Sequence, residues 1–172
     1  ARQIDGQRFA FTVQIVTASR SDVYGELMAF IMKQRSGKEN FTIIPPEIED
    51  ARGNETGTVL VNGSHAVGDT TIAMDGHHND NPHAFKAGDF IKFASHSKVY
   101  MIVADVQASS NASTVTIEPP LIATVADDSV VTYDNVPFTV YLTNDIQEFG
   151  VSGVSNDGKL YYEYQFDVEE AL

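Results

Sequence analysis

The chain has 172 residues, with 24 acidic against 11 basic side chains, a net charge of −13, and neither cysteine nor tryptophan. That length suffices for one moderate domain or two small ones, and an apolar content of 42 % excludes disorder. Disulfides, thiolate metal sites and cysteine nucleophiles are excluded, tight binding to a phosphate backbone is not expected of so acidic a surface, and no apolar run reaches the twenty residues a bilayer requires.

The first element is RFAFTVQIV, Arg8 to Val16. Phe9, Phe11, Val13 and Ile15 alternate with polar Thr12 and Gln14, the pattern of a half-buried strand. A helix over about 20–36 follows. Ser19 and Asp22 stand at capping-box spacing, and Val23, Leu27, Phe30 and Ile31 recur at helical spacing, widened by Tyr24 and Met28. Gly37 supplies a left-handed stop, and Lys33, Arg35 and Lys38 sit near the negative end of the dipole. Gly25 inside this helix is unfavourable by about 1 kcal/mol against alanine.

Phe41 to Ile44 reads as a short strand closed by Pro45 and Pro46, which cannot donate to a ladder. The charged, glycine-punctuated stretch EIEDARGNETG then reads as a connector. From Thr56 to Tyr133 the texture changes to short strands between turns: Thr58–Val61, Thr70–Met74, Phe90–Ala94, Lys98–Ala104, Ser113–Glu118 and Ser129–Thr132. Many strands without a helical period indicate a small barrel or sandwich. Longer strands return at Phe138–Leu142 and Leu160–Val168. In the latter Leu160, Tyr162, Tyr164, Phe166 and Val168 oppose Tyr161, Glu163, Gln165, Asp167 and Glu169. The expected fold is mainly β (α+β). An antiparallel sheet or sandwich with one helix is built from 1–50 and 135–172, and a small β-barrel is inserted at 51–134.

Candidates for chemistry are few. His77, His78, Asp80 and His83, with Asp75 and His65 near, are metal-ligating types at close spacing. Gly76, Asn79, Asn81 and Pro82 mark their segment as a solvated surface turn, so no metal is assigned. Glu47, Glu49 and Asp50, and the pair Asp127 and Asp128, lie in polar loops. Such loops do not raise one carboxyl pKa while leaving its neighbour ionised, as glycosidases need. No serine sits in a nucleophile elbow and no glycine-rich loop opens a helix, so neither catalytic nor cofactor-binding residues are expected. Asn40, Asn54, Asn62 and Asn111 begin N-x-S/T sequons of the kind that arise by chance in this composition. Tyr161, an aromatic among acids, could anchor a protein contact.

The stretch FKAGDFIKFASHSKVYMIVADV, Phe85 to Val106, followed by TVTIEPPL, Thr114 to Leu121, resembles a recurring pattern of phage tail proteins. It runs from a Gly-Asp turn into a strand, through a short polar break to a Lys-Val-Tyr strand, then to a strand closing on Pro-Pro-Leu. With the opening strand and helix, ENFTIIPPEIEDARG and the closing PFTVYLTNDIQEFGVSGVSNDGKLYYEYQFDVEEAL, the order of elements is similar to siphophage distal tail proteins. The resemblance implies a ring-forming flanking domain with an inserted barrel of oligonucleotide/oligosaccharide-binding (OB) type. It further implies a hexameric ring joining the tail tube to the tail-tip hub or baseplate, in the virion after assembly in the host cytoplasm, with DNA in transit only. No catalytic residues carry over. Two other readings compete: a saccharide-binding module using Phe90, Phe93 and Tyr100, and a wall-degrading hydrolase.

Overall fold

The computed structural model describes residues 7–148 and 150–172, so the start of the expected first segment, residues 1–6, lies outside the described residues. The chain opens with β1 (Ala10–Ser19), a π-helical turn (Arg20–Tyr24), α1 (Gly25–Lys33) and β2 (Phe41–Ile43). The middle holds β3 (Leu60–Val61), β4 (Thr71–Asp75), β5 (Asn81–Phe85), β6 (Phe90–Phe93) and β7 (Val99–Ile102). Next come β8 (Val106–Ala108), β9 (Ser113–Glu118) and β10 (Val131–Thr132), and the chain ends with β11 (Phe138–Leu142), β12 (Gly150–Val154) and β13 (Leu160–Glu170). The fold is mainly β with antiparallel sheets. No helix among the described residues is long and apolar enough to cross a membrane.

Two compact units result, one formed in the main by Ile43–Phe138, the other by Arg8–Thr42 with Thr139–Ala171. In the second, β13 is the central strand. It pairs antiparallel with β1 on one side, setting Phe11 against Val168, Val13 against Phe166 and Ile15 against Tyr164. On its other side it pairs with β11 through Leu142 and Val168, and with β12 through Gly150 and Glu163. Alternation works as the pleat requires: Tyr164, Phe166 and Val168 are buried, whereas Glu163 and Gln165 are exposed. The pattern fades at Leu160, which is 44 % exposed in the hairpin with β12.

The helix departs from the expected stripe. Tyr24 and Ile31 are the buried residues, while Val23 and Phe30 are exposed. The buried stripe is therefore narrower than expected, keeping Tyr24 and Ile31 with Leu27 and Met28 half-buried. Its first turn is π-helical, with the Gly25 N–H donating to the Arg20 carbonyl, and such a turn alters the angular phase that α-helical spacing assumes. This also explains Gly25, where a Cβ would stand 2.7 Å from that carbonyl oxygen. Ser19 Oγ bonds the Asp22 carboxylate and caps no backbone N–H. Tyr24 stacks on Tyr162 with centroids 4.6 Å apart, which seats the helical segment on the buried face of β13.

In the other unit, six strands in the order β10-β6-β7-β9-β4-β3 wrap into a nearly closed, barrel-like sheet. Its two ends approach through the Leu60 and Val130 bridge, where the Val61 N–H donates to Ser129 and the Val131 N–H to Val59. Val61, Ile72, Met74, Ile91, Phe93, Tyr100, Ile102, Val115 and Ile117 fill the interior. Three strands were not legible in the sequence. β5 contains Pro82, tolerated because its two-stranded ladder with β8 has an irregular register. β8 is only three residues long, and β12 is a glycine-bearing edge strand. The stretch read as a connector, whose residues from 51 onward fall within the expected barrel, is tied into this unit by backbone bonds. Ala51 N–H donates to Tyr133, Asn54 N–H to His83, and Glu49 accepts from the Val136 N–H.

Candidate functional site

A buried polar cluster centres on Glu55, His77 and Ser113. His77 sits in the loop after β4, Glu55 in the irregular stretch before β3, and Ser113 opens β9. Glycine permits the close approach of the two loops: at Gly57 a Cβ would press on the Gly76 carbonyl, and at Gly76, where φ is +74°, on that of Thr58. Glu55 Oε1 accepts from three backbone N–H groups, of Thr56 at 2.9 Å, Gly57 at 2.7 Å and His78 at 2.9 Å. Its Oε2 lies 2.8 Å from His77 Nδ1, and His77 Nε2 lies 2.7 Å from Ser113 Oγ. Neither the Glu55 nor the His77 side chain reaches solvent, whereas Ser113 is half-buried.

Burial alone would raise the Glu55 carboxyl. The backbone bonds from His78, Gly57 and Thr56, with that from His77, outweigh it and hold the group at about 2. At neutral pH it is therefore an acceptor only, which places the ring proton on His77 Nδ1. With that tautomer Nε2 carries a lone pair that can accept the Ser113 hydroxyl proton. Nearby, burial first and then the charges of Asp134 and Glu55 push the Tyr133 phenol up to about 12, and its hydroxyl donates to the Gly57 carbonyl at 2.6 Å.

A second anchor joins Arg52 to the Gly-Asp turn. Asp89, nearly fully buried, accepts from the Lys86 N–H at 2.8 Å and from the Arg52 N–H and Nε–H at 3.1 Å each. Arg52 also donates to the Ala87 carbonyl. Both clusters depend on Glu55 and Arg52, in a stretch without strand or helix periodicity. Short Gly spacing was the only signal there.

The four candidate metal ligands are not brought together. His77 is committed to Glu55 and Ser113, which corrects its reading as part of a solvated turn. His78 and His83 are exposed, and the Asp80 carboxylate accepts from the Ser110 N–H. Asp75 ends β4, and His65 accepts from the Ala73 N–H at 3.1 Å. No group of three or more His, Asp or Glu among the described residues is placed to hold a metal ion. The loop acids are likewise spent on turns, Asp50 accepting from the Asn135 N–H and Asp127 from the Gly63 N–H. Phe90, Phe93 and Tyr100, named as a saccharide platform, are buried, so they offer no ring to a sugar. Tyr161 is half-buried opposite Ser19.

Comparison with curated proteins returns no match. Residues 48–136 match the family model described as distal tail protein pb9, B domain, which covers just over half of the chain and contains both clusters. The chain thus belongs to the phage distal tail proteins that carry this domain, and its role is that of a structural component of a phage tail.

Proposed function

We propose that the chain is a non-enzymatic ring subunit, hexameric, set between the tail tube and the tail-tip hub or baseplate of the virion, with DNA passing through its lumen. The observation that supports this is the placement of exposed groups in the unit formed by Arg8–Thr42 and Thr139–Ala171. On the outer face of the sheet, Gln14, Asn144, Ile146, Glu148, Glu163 and Gln165 line an acid-rimmed hollow of about 540 Å³. Ile146 is 77 % exposed there. Along the helix, Phe30, Lys33, Arg35, Glu39 and Phe41 line a second hollow, in which Arg35 pairs with Glu39 at 3.6 Å and Lys33 is the surplus base. The acid-rimmed hollow and the surface carrying Lys33 lie on separate elements of this unit and are complementary in charge. They can meet head to tail between copies, and such heterologous contacts close into rings when the rotation allows. The acidic surplus suits a passage to which DNA must not adhere.

Native mass spectrometry and light scattering across a concentration series test this reading. A closed oligomer is expected, weakened by Lys33→Glu with Arg35→Glu and restored by mixing with Glu148→Lys with Glu163→Lys. A strict monomer, alone and with the tail-tube subunit, would overturn it, as would retardation of duplex DNA at low salt.

A further inference from the structure

The atoms Glu55 Oε2, His77 Nδ1, His77 Nε2 and Ser113 Oγ form a line of hydrogen bonds that a tail role does not require. We propose that Ser113 is an activated nucleophile, a site at which an electrophilic acyl or phosphonyl donor becomes covalently attached to the barrel unit. Nucleophile and base stand 2.7 Å apart, base and orienter 2.8 Å apart, both within the reach such relays use. The polarity is right as well. An acceptor-only carboxylate fixes the imidazole tautomer whose Nε2 can take the serine proton.

The burial gradient points the same way. Glu55 and His77 are closed to solvent, so their alignment is held by packing, while Ser113 is half-buried. Were the cluster only a pin between the two loops, the Nδ1 bond and the three backbone bonds to Glu55 would suffice. Ser109 and Ser110, exposed in the turn just before β9, are not hydrogen-bonded to any imidazole in this way and serve as internal references.

With an activated ester, Ser113 Oγ forms a bond to the carbonyl carbon while its proton passes to His77 Nε2. Collapse of the adduct breaks the carbon to leaving-group bond, and the departing alkoxide takes that proton, giving acyl-Ser113 and a free alcohol. With a fluorophosphonate, the O–P bond forms, the P–F bond breaks, fluoride leaves and the proton resides on His77. The array supplies a base and its orienter, and the proposal asks for one covalent event and no turnover. It stands independently of ring formation.

The experiment treats the folded full chain with a reporter-bearing fluorophosphonate at neutral pH and maps the adduct by peptide mass spectrometry. Ser113 is expected to be modified at least about tenfold faster than Ser109 or Ser110, a conservative fraction of what a positioned base contributes. His77→Gln should remove that advantage, and denaturant should abolish it in the unaltered protein. No adduct at Ser113, equal labelling of the three serines, or undiminished labelling of a folded His77→Gln variant would each overturn the proposal. Should that variant not fold, the comparison of serines within the native chain decides alone.

Discussion

Glu55 and His77 meet at 2.8 Å with both side chains shut away from solvent. Removing one partner therefore does more than delete a hydrogen bond, because it leaves a buried carboxylate short of one of its donors. His77→Ala is expected to cost about 2–3 kcal/mol, the range for losing a hydrogen bond to a buried charged group. Urea denaturation of the two proteins at pH 7 measures this, and a loss below 1 kcal/mol would show that water or the backbone takes over.

The same carboxylate predicts a pH dependence. Its folded value of about 2 lies below the ordinary 4.5, so the folded state holds the proton more weakly than the unfolded chain does. The stabilisation is complete above pH 4.5 and is lost as pH falls towards 2, on the order of 3 kcal/mol from this one group. Acid titration of stability should accordingly be flatter over that window in Glu55→Gln than in the unaltered chain.

Arg52 and Asp89 make an unequal pair, with side chains 59 % and 1 % exposed. Replacing exposed Arg52 by alanine forfeits a screened contact and should cost about 1 kcal/mol or less. Replacing Asp89 by alanine strips the acceptor from the Lys86 and Arg52 backbone N–H groups and should cost about 2–4 kcal/mol. Thermal melts of the two variants should separate clearly, with Asp89→Ala the lower.

Glycines provide a contrast within one chain. A Cβ at Gly53 would overlap the Ala84 carbonyl, whereas one at Gly153 would meet nothing within 4 Å. Gly53→Ala is expected to destabilise by about 1–3 kcal/mol as backbone is forced apart. Gly153→Ala, away from any such contact, should stay within about 0.5 kcal/mol. Equal melting temperatures for the two variants would contradict this packing.

Much of the strand inventory was legible because a half-buried strand shows its burial in its own alternation, as Tyr164, Phe166 and Val168 do against Glu163 and Gln165. β9 was expected with the bounds the structure shows, Ser113–Glu118. Where local pattern and burial part company, the reading failed. Of the expected helix stripe Tyr24 and Ile31 are buried but Val23 and Phe30 are not, because a π-helical turn leaves no mark in hydrophobic spacing. β5 was missed because Asn81, Pro82 and His83 look like a turn, although Asn81 and Phe85 are buried. His77 was grouped with its neighbours in sequence, whereas its partners stand 22 and 36 residues away.

Composition and periodicity by themselves determined that this is an acidic, cysteine-free, mainly β protein, and the texture between Phe85 and Leu121 pointed to its family. Those properties are local, since each residue reports on its own face of its own strand. Tertiary structure alone decided the register of β1 against β13, the bonds that anchor the stretch around Glu55, and that one histidine of five joins a carboxylate to a serine. Such meetings depend on where distant segments come to rest, and a desolvated polar group is stable only where that convergence supplies all its partners.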